Sequence, residues 1–489
     1  MLNNMEKESA NQNSGKGIVK NIGYNIISQT VALIVPLVTS PYIARVFNPE
    51  LIGKYSYALA NSSYFVLLEC MGFPLYGQIK IAAYRDDKEE VSRTFVEIMT
   101  LKFFLMLLSI VVYMFMVFPH YDNIRRKLCL IMLLNIVASG IDVTWFLNGM
   151  EEFKVIAVRS ISVRIINIIS IFTLIKSEEE FLLYAVLMQA AGVFANIAVY
   201  PKAMRMIAWE KPRALNVCKH IKPAAIYFVP GLVTTIFSST DKTMLGIMCN
   251  DYEVGIYEQA NKISQICMNA ISAIGNVLMP RAAYLYHQSK SRADANLLFY
   301  KFFKVICLIS FPTVFGISSI ANEFVPFFFG KGYEKSISVL IVLGLNVAFT
   351  ALGNLVGQQC LISRDNQKAY NISVIVAAVA NVVFNLVMIY FGQSIGAAFA
   401  SVLASIVSFA MLTYMSRKTI QVSVMFHEIW KYGVASVIMA VVVLIAKNLW
   451  VGTIGGIIVH VLTGAVVYFL VLVLFREENI YVFLRGWLR

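Results

Sequence analysis

Residues 46–58 read VFNPELIGKYSYA, and residues 248–260 read MCNDYEVGIYEQA. Four identities stand at a common offset of 202 residues, namely Asn48 with Asn250, Gly53 with Gly255, Tyr55 with Tyr257, and Ala58 with Ala260. Both segments lie between two long apolar stretches of the chain. Internal duplication of a helical bundle is a common plan for membrane proteins, so the repeat predicts two related halves.

The amino-acid composition places the chain in a membrane. It has 489 residues, of which 58% are hydrophobic and 14% are charged, whereas soluble domains carry about 25% charged residues. Its apolar runs often reach about 18 residues, enough for a helix to cross a hydrocarbon core of roughly 30 Å. Because segments of alternating polarity are absent, a helical bundle is the structure that satisfies the backbone in lipid. The predicted fold class is an all-α polytopic membrane protein.

The apolar stretches predict fourteen transmembrane helices. Their positions lie near 18–44, 54–79, 94–117, 128–148, 156–175, 181–201, 223–247, 255–279, 299–321, 336–360, 370–390, 394–415, 431–447 and 455–475. Residues 1–17 are polar and contain no apolar signal-peptide core, so we expect them to form a tail.

The distribution of Lys and Arg orients these spans. With the N-terminus in the cytoplasm, 29 of the 41 Lys and Arg residues fall on the cytoplasmic side and 10 on the other. Short cytoplasmic loops carry an excess of basic residues in membrane proteins, so we expect both termini in the cytoplasm. The two repeat segments are displaced by six spans, an even number, and the two halves therefore have the same orientation.

Two parallel six-helix repeats and two extra C-terminal helices follow from this topology. The predicted organisation is a cytoplasmic tail at 1–17, an N-terminal lobe of spans 1–6 at 18–201, a cytoplasmic linker at 202–222, a C-terminal lobe of spans 7–12 at 223–415, spans 13 and 14 at 431–475, and a cytoplasmic tail at 476–489.

The sequence contains no signature of an enzyme or of a cofactor site. No P-loop, HExxH, GxSxG or Gly-rich dinucleotide motif occurs, and the five His and seven Cys residues are dispersed. We therefore expect no metal and no cofactor. The net charge of +13 is interpreted as basic loops that face anionic lipid, and not as a nucleic-acid surface.

Ionisable side chains within the spans are the candidate functional residues. A charge near the bilayer centre costs at least about 2.5–3.5 kcal/mol, so it normally faces a partner or a wet cavity. The basic candidates for binding an anionic substrate are Lys262, Arg164, Lys102, Arg45, Arg159 and Lys242. The acidic candidates for carrying a coupling proton or sodium ion are Asp142, Glu69 and Asp241.

Each candidate also has a purely structural interpretation. Arg45, Asp241 and Lys242 could simply lie at the membrane interface. The side chains of Arg159 and Glu97 could extend to the inner membrane surface. Glu69 or Asp142 could instead form an ion pair with Arg164. These interpretations stay open at the level of the sequence.

Four segments of the chain are distinctive as an ordered set. They read NIGYNIISQTVALIVPLVTSPYIARVFNPELIGKYSYA at 21–58, WFLNGMEEFKVIAVRS at 145–160, STDKTMLGIMCNDYEVGIYEQANKIS at 239–264, and GQQCLISRDNQKAYNISVIVAAVANVVFNLVMIYFGQSIGAAFAS at 357–401. In this order they resemble the polysaccharide-transport flippases of the MOP superfamily, the Wzx-type exporters of O-antigen, capsule and other exopolysaccharide repeat units. The resemblance covers nearly the whole chain and depends on the set rather than on one motif.

The resemblance implies a V-shaped MOP-type bundle with a central cavity. It implies that the protein moves an undecaprenyl-pyrophosphate-linked oligosaccharide from the inner to the outer leaflet of a bacterial inner membrane, by ion-coupled alternating access. Lys and Arg are suitable partners for a pyrophosphate, and Lys262 is the position that the family pattern supports best. The implied partners are membrane lipid and a polysaccharide polymerase. The arginine-rich first helix of the related lipid II flippases has no counterpart in this chain.

Two other functions stay open. A multidrug or cation antiporter of the same superfamily would favour an acidic cavity, whereas the charges within these spans are at least as basic as acidic. A polytopic glycosyltransferase or polymerase of the same pathway would be an enzyme and would need a long catalytic loop outside the membrane. The predicted outer loops are short.

Overall fold

The computed structural model describes residues 23, 27–120, 123–208, 215–287, 292–447 and 454–477. These residues form helices joined by short turns, and no strand occurs among them. The predicted tail at 1–17 lies outside the described residues, as do positions 478–489 of the predicted C-terminal tail. The chain divides into two compact units, and the lobe and linker boundaries given above stay a prediction.

Unit 1 comprises Met1–Phe47 and Tyr57–Thr235. Its helices are α1 (Ile27–Val46), most of α2 (Pro49–Cys70), α3 (Phe73–Ala83), α4 (Lys88–Met116), α5 (Asn123–Gly140), α6 (Thr144–Gly149), α7 (Phe153–Leu174), α8 (Phe181–Met206), α9 (Ile221–Ala225) and the start of α10 (Phe228–Met248). Buried aromatic side chains such as Phe95, Trp145 and Phe146 pack against each other between α4 and α6.

Unit 2 comprises Asn48–Ser56 and Ile236–Arg489. It contains the start of α2, the rest of α10, and the helices α11 (Asp251–His287), α12 (Arg292–Phe329), α13 (Lys335–Val356), α14 (Gln367–Ser416), α15 (Val422–Phe426), α16 (Ile429–Ala446) and α17 (Ile454–Leu474). A buried cluster in this unit joins α12, α13, α14 and α16 through side chains that include Phe303, Phe409 and Tyr432.

A helix lies at each of the fourteen predicted spans. Within the described residues, eleven helical stretches are long and apolar enough to cross a membrane. Predicted spans 11 and 12 together form one of them, α14, which is interrupted at Gln393, where φ is 50° and ψ is −126°. The more polar helices α10 and α11 are not among the eleven. The protein is a multi-pass helical membrane protein, as its composition predicts.

Two predicted spans are each divided into two helices. Span 2 consists of α2 and α3, which meet at Met71 and Gly72, where φ is 41° and 81°. A Cβ on Gly72 would lie 2.2 Å from the carbonyl oxygen of Ala224, so this turn requires glycine. Span 4 consists of α5 and α6, separated at residues 141–143. Hydropathy alone predicts single spans because it does not register a change in backbone direction.

The repeat segments form the same structure twice, and residues 48–56 of the first copy and all of the second copy belong to unit 2. Each contains a short turn followed by the start of a helix, α2 in one copy and α11 in the other. The matched Asn48 and Asn250 cap these helices, since their side chains accept backbone N–H groups three residues later at 2.9 and 3.0 Å. The matched glycines lie where the two helix starts cross. A Cβ on Gly53 would lie 1.7 Å from the Asp251 carbonyl oxygen, and a Cβ on Gly255 1.8 Å from that of Pro49.

A buried carboxylate in unit 1 anchors the segment between α8 and α9. Glu97 of α4 is fully buried and accepts hydrogen bonds from the Asn216 backbone amide and the Lys219 ammonium, both at 2.8 Å. The Nε2 atom of His220 lies 2.7 Å from the same carboxylate, and its Nδ1 atom lies 2.8 Å from the Tyr76 hydroxyl. Burial lowers the pKa of His220 and outweighs the opposing effect of Glu97. Glu97 is therefore an enclosed, partnered ion and does not extend to the surface.

Candidate functional site

A buried aspartate in unit 2 lies at the centre of a cluster of neutral polar side chains. Asp241 on α10 is 3% exposed. Its Oδ2 atom accepts hydrogen bonds from the hydroxyls of Tyr257 and Ser401, both at 2.5 Å. Its Oδ1 atom accepts hydrogen bonds from the amides of Asn385 at 2.6 Å and Asn381 at 3.2 Å. The helices α10, α11 and α14 thus converge on one carboxylate.

The geometry of this cluster suits a cation. None of the ion pairs among the described residues involves Asp241, and the adjacent Lys242 pairs with Glu258 instead. The Oδ1 atoms of Asn381 and Asn385 are buried and accept no hydrogen bond from a described residue. Either amide can turn through about 180° and present its oxygen in place of its NH₂ group. Carboxylate, amide and hydroxyl oxygens together form a ligand set for a hard cation, and a proton on Asp241 would neutralise the same charge.

Two of the predicted basic residues flank a second carboxylate in unit 2. The Lys242 ammonium lies 3.2 Å from Oε2 of Glu258, and the Lys262 ammonium lies 3.9 Å from its Oε1. All three side chains are partly buried, and Lys262 is 29% exposed. Because two ammonium groups share one carboxylate, the ion pairs among the described residues compensate only one of the two positive charges. An anion with several oxygens can interact with both lysines at once.

Lys102 is fully buried in unit 1 and stabilises the interruption at residues 141–143 between α5 and α6, which is called the break in span 4 below. Its ammonium donates to the backbone carbonyls of Ser139 and Asp142, both at 2.9 Å. Two other side chains donate to neighbouring carbonyls of the break, Asn196 to Ala138 at 2.6 Å and Tyr200 to Ile141 at 2.9 Å. These donors supply the hydrogen bonds that a helix end lacks, which is essential within lipid.

The three predicted arginines also lie in unit 1. Arg159 donates to the Oδ1 atom of Asn196 at 2.8 Å, and Arg164 donates to the backbone carbonyl of Ser28 at 2.9 Å. Arg45 is exposed at the end of α1. The structure therefore brings Lys242 and Lys262 together, whereas Arg159 and Arg164 each bind a neutral oxygen of their own unit. The substrate-binding role of all six basic residues stays a prediction.

The two acidic candidates of unit 1 have different environments. Asp142 accepts hydrogen bonds from the backbone N–H of Thr144 at 2.9 Å and from its hydroxyl at 2.8 Å, and so supports the start of α6. Glu69 is fully buried, and neither of its oxygens accepts a hydrogen bond from a described residue. Neither carboxylate forms an ion pair with Arg164 among the described residues, in contrast to one of the structural interpretations. The ion-coupling role of both residues stays a prediction.

Sequence reasoning missed the neutral members of the Asp241 cluster and the partner of the two lysines. Tyr257, Ser401 and Glu258 gave no signal that separates them from other polar residues near span ends. Asn381 and Asn385 did give such a signal in the sequence. They stand four residues apart in an apolar span, so they share one helix face, and two amides on one face of a membrane helix indicate a buried polar site.

A family model described as "Polysaccharide biosynthesis protein" matches residues 18–285, more than half of the chain. The chain belongs to this family. The matched residues include three of the four segments that resemble Wzx-type flippases, at 21–58, 145–160 and 239–264. They also include the repeat segments, the break in span 4, Asp241 and the Lys242–Glu258–Lys262 cluster. The Asn381, Asn385 and Ser401 side chains lie beyond the matched residues.

Individual relatives of this chain point the same way. A protein of Escherichia coli (strain K12) named as an O-antigen transporter is 21% identical over 386 residues, which is 78% of this chain and 92% of that protein. The structure of lipid II flippase MurJ in an inward closed conformation aligns with a TM-score of 0.75 at 15% identity, over 94% of this chain and all of MurJ. An inward-facing multidrug MATE transporter aligns with a TM-score of 0.64 at 12% identity, over 83% and 99% of the two chains. The chain has the MOP fold, and the resemblance stated from the sequence is confirmed.

Proposed function

We propose that this protein moves an undecaprenyl-pyrophosphate-linked oligosaccharide from the inner to the outer leaflet of a bacterial inner membrane, as a transporter and not as an enzyme. The family supports a role in polysaccharide synthesis, and the relatives named as an O-antigen transporter and a lipid II flippase support a lipid-linked saccharide as cargo. The observation that carries the proposal is the pair of partly buried lysines that flank Glu258 in an apolar bundle.

The pyrophosphate is the part of the cargo that Lys242 and Lys262 recognise. Both ammonium groups are directed to one carboxylate, which neutralises only one of them. A pyrophosphate carries more charge and more acceptor oxygens than a carboxylate, so it can replace Glu258 as the shared partner. Because a lysine is a point charge on a flexible stem, it can follow the phosphates without fixed geometry. Arg45, Arg159, Arg164 and Lys102 are proposed as further basic contacts.

An apolar cavity in unit 2 suits the hydrocarbon part of the cargo. It has a volume of about 310 Å³ and lies among α12, α16 and α17. Its lining is almost entirely apolar and includes Ile309, Met439 and Phe469. Within a bilayer such a lining is about as apolar as the lipid tails, so it can hold a hydrocarbon chain through packing contacts. A polyprenyl chain is the component of this substrate class that the cavity can hold.

Asp241 is the proposed ion-coupling residue of unit 2. Four neutral side chains donate hydrogen bonds to its carboxylate, and the two nearby amide oxygens accept none from a described residue. A cation or a proton bound at this site would neutralise the charge of Asp241. Binding of a sodium ion or a proton would remove the negative charge from the contact between α10 and α14. Differential binding of an ion to two conformations is the way in which an ion gradient drives alternating access. Both termini are proposed to be cytoplasmic, and a polysaccharide polymerase is proposed to use the product.

The test uses purified protein in liposomes that contain a fluorescent undecaprenyl-pyrophosphate-linked oligosaccharide. Transfer between leaflets is measured by the access of a membrane-impermeant quencher. Lys262→Gln should slow transfer by about tenfold, since a hydrogen bond to a charged group contributes roughly 1.5–3 kcal/mol. The matched control is Lys304→Gln, because Lys304 and Lys431 flank Glu428 in unit 2 as the other lysines flank Glu258. Equal rates for the two variants would contradict the site assignment, and no transfer by the unaltered protein would contradict the function.

A second candidate is a multidrug or cation antiporter, which the buried Asp241 and the fold shared with a MATE transporter favour. The same liposomes, loaded with a fluorescent cationic drug and given a sodium or proton gradient, test it. Drug movement without movement of the lipid-linked oligosaccharide would replace the first proposal by the second. Release of free sugar or a new glycosidic bond would instead indicate the glycosyltransferase or polymerase.

A further inference from the structure

Unit 1 encloses a glutamate that has no hydrogen-bonding partner among the described residues. Glu69 lies near the end of α2, its side chain is fully buried, and both carboxyl oxygens lack a donor. Glu97 of the same unit is equally buried but accepts hydrogen bonds from the Asn216 amide and the Lys219 ammonium and lies against His220. The two residues have the same chemistry and the same burial, so their different surroundings decide their charge.

An ionised carboxylate without donors is the unfavourable state of a buried glutamate. Removal from water costs the charged form its hydration, and only hydrogen bonds or a paired cation offset that loss. Glu97 has both kinds of compensation in direct contact, whereas Glu69 has no hydrogen bond and no ion pair within contact distance among the described residues. The neutral acid avoids most of this cost. Geometry and burial therefore indicate that Glu69 holds a proton in the conformation described.

The ammonium group of Lys102 lies near Glu69 and could replace this proton, but its hydrogen bonds go to backbone carbonyls. The Lys102 ammonium is fully buried, lies within electrostatic range of Glu69, and uses two of its three N–H donors on the carbonyls of Ser139 and Asp142. The other groups around Glu69 are the thiol of Cys70 on α2, the hydroxyl of Ser139 and the carboxylate of Asp142. Arg159 of α7 and Tyr200 of α8 face the same Asp142 carboxylate.

We propose that Glu69 is a proton-binding site of unit 1, and that loss of its proton transfers the Lys102 ammonium from the break in span 4 to the Glu69 carboxylate. The O–H bond of the Glu69 carboxyl group breaks and the proton passes to water. Lys102 keeps all three of its protons, and no group is oxidised or reduced. The inference rests on the proposed ion-coupled function and adds to it a proton site separate from the Asp241 cluster.

The consequence of this exchange lies at the break between α5 and α6. Lys102 supplies the hydrogen bonds of two carbonyls there, and a helix end in lipid needs such donors. When the ammonium turns to Glu69, the Ser139 and Asp142 carbonyls lose their partner and the break becomes less ordered. Protonation of Glu69 therefore orders span 4, and deprotonation loosens it.

The first test is infrared spectroscopy of the purified protein in detergent, without substrate. We expect the carbonyl band of a protonated carboxylic acid near neutral pH, and its loss in Glu69→Gln. The band should remain in Glu97→Gln, which is equally buried, and in Glu50→Gln, which alters an exposed residue paired with Lys54. Absence of the band in the unaltered protein, or a band of undiminished intensity in Glu69→Gln, would overturn the proposal.

The second test follows hydrogen exchange of the backbone amides at 138–144 as the pH is raised. We expect exchange, corrected for its intrinsic pH dependence, to increase by about tenfold as the acid band disappears, and to stay constant in Glu69→Gln. The same increase in Glu69→Gln would show that the break does not respond to this carboxyl group, and would overturn the exchange of Lys102. Neither test requires transport, so a protein that shows both effects but moves no lipid-linked oligosaccharide would contradict the proposed function alone.

Discussion

Glu69 in unit 1 and Asp241 in unit 2 are both buried carboxyl groups on membrane helices, and their surroundings are opposite. Asp241 accepts hydrogen bonds from four neutral side chains, whereas Glu69 accepts none from the described residues. Oriented dipoles stabilise an ionised group, and an enclosure without hydrogen-bond donors favours the neutral acid. The comparison teaches that neighbouring groups, and not the carboxyl group itself, decide which charge state of a buried acid is favoured.

The largest expected effect on transport comes from removing the charge of Asp241, which tests this site without altering Glu69. Asp241→Asn keeps the shape of the side chain but removes the charge that a cation needs. We expect ion-driven transfer in liposomes to fall by at least about tenfold, which corresponds to about 1.4 kcal/mol. The control is Asp365→Asn, because Asp365 is exposed and its left-handed backbone, with φ of 61°, accepts asparagine equally well. Unchanged ion dependence in Asp241→Asn would remove the ion site from unit 2.

The largest expected effect on stability, as distinct from transport, should distinguish the two buried glutamates of unit 1. Glu97→Gln removes a charge from Lys219 and Arg93 and should lower the free energy of unfolding by about 3 kcal/mol. Glu69→Gln replaces a neutral acid by an amide of similar shape and should change it by less than about 1 kcal/mol. Denaturant titration of the purified proteins measures both. A larger loss for Glu69→Gln than for Glu97→Gln would mean that Glu69 is ionised and partnered.

The smallest expected effect concerns pH and the His220 ring, which lies between Glu97 and Tyr76. Burial lowers the pKa of His220 from its ordinary value of 6.5. Protonation therefore favours the unfolded state, so the contribution to stability is complete above about pH 6.5 and is lost as the pH falls below it. The melting temperature should decrease from about pH 7 to about pH 5. His220→Gln should show a weaker decrease, and an identical slope would remove His220 as its cause.

Much of the fold could be predicted from the sequence, because lipid imposes a simple rule. A span must be apolar and about twenty residues long, so helical structure lies at each of the fourteen predicted spans. The divisions of spans 2 and 4 could not be predicted in the same way. Gly72 is required by the carbonyl of Ala224, a residue 152 positions later, and the ends of α5 are satisfied by Lys102, Asn196 and Tyr200 from two other helices.

The candidate sites were predicted in part for a related reason. Charged residues in apolar spans are conspicuous, so Asp241, Glu69, Lys242 and Lys262 could be named from the sequence. Their partners could not, because hydrogen bonds such as that between Asp241 and Asn385 join residues 144 positions apart. The repeat also gained its meaning only in three dimensions. Its matched asparagines cap two helices, and its matched glycines let those helices cross with their backbones in contact.

The sequence by itself determined that this chain is a duplicated bundle of membrane helices with a few ionisable groups inside it, since hydropathy and charge act locally along the chain. The tertiary structure decided what each of those groups does. It gave Glu97 three donors from a distant segment, Asp241 four neutral ones, and Glu69 none from the described residues. The charge of a buried group is set by the dipoles and ions that folding places around it, and these come from residues far away in the sequence.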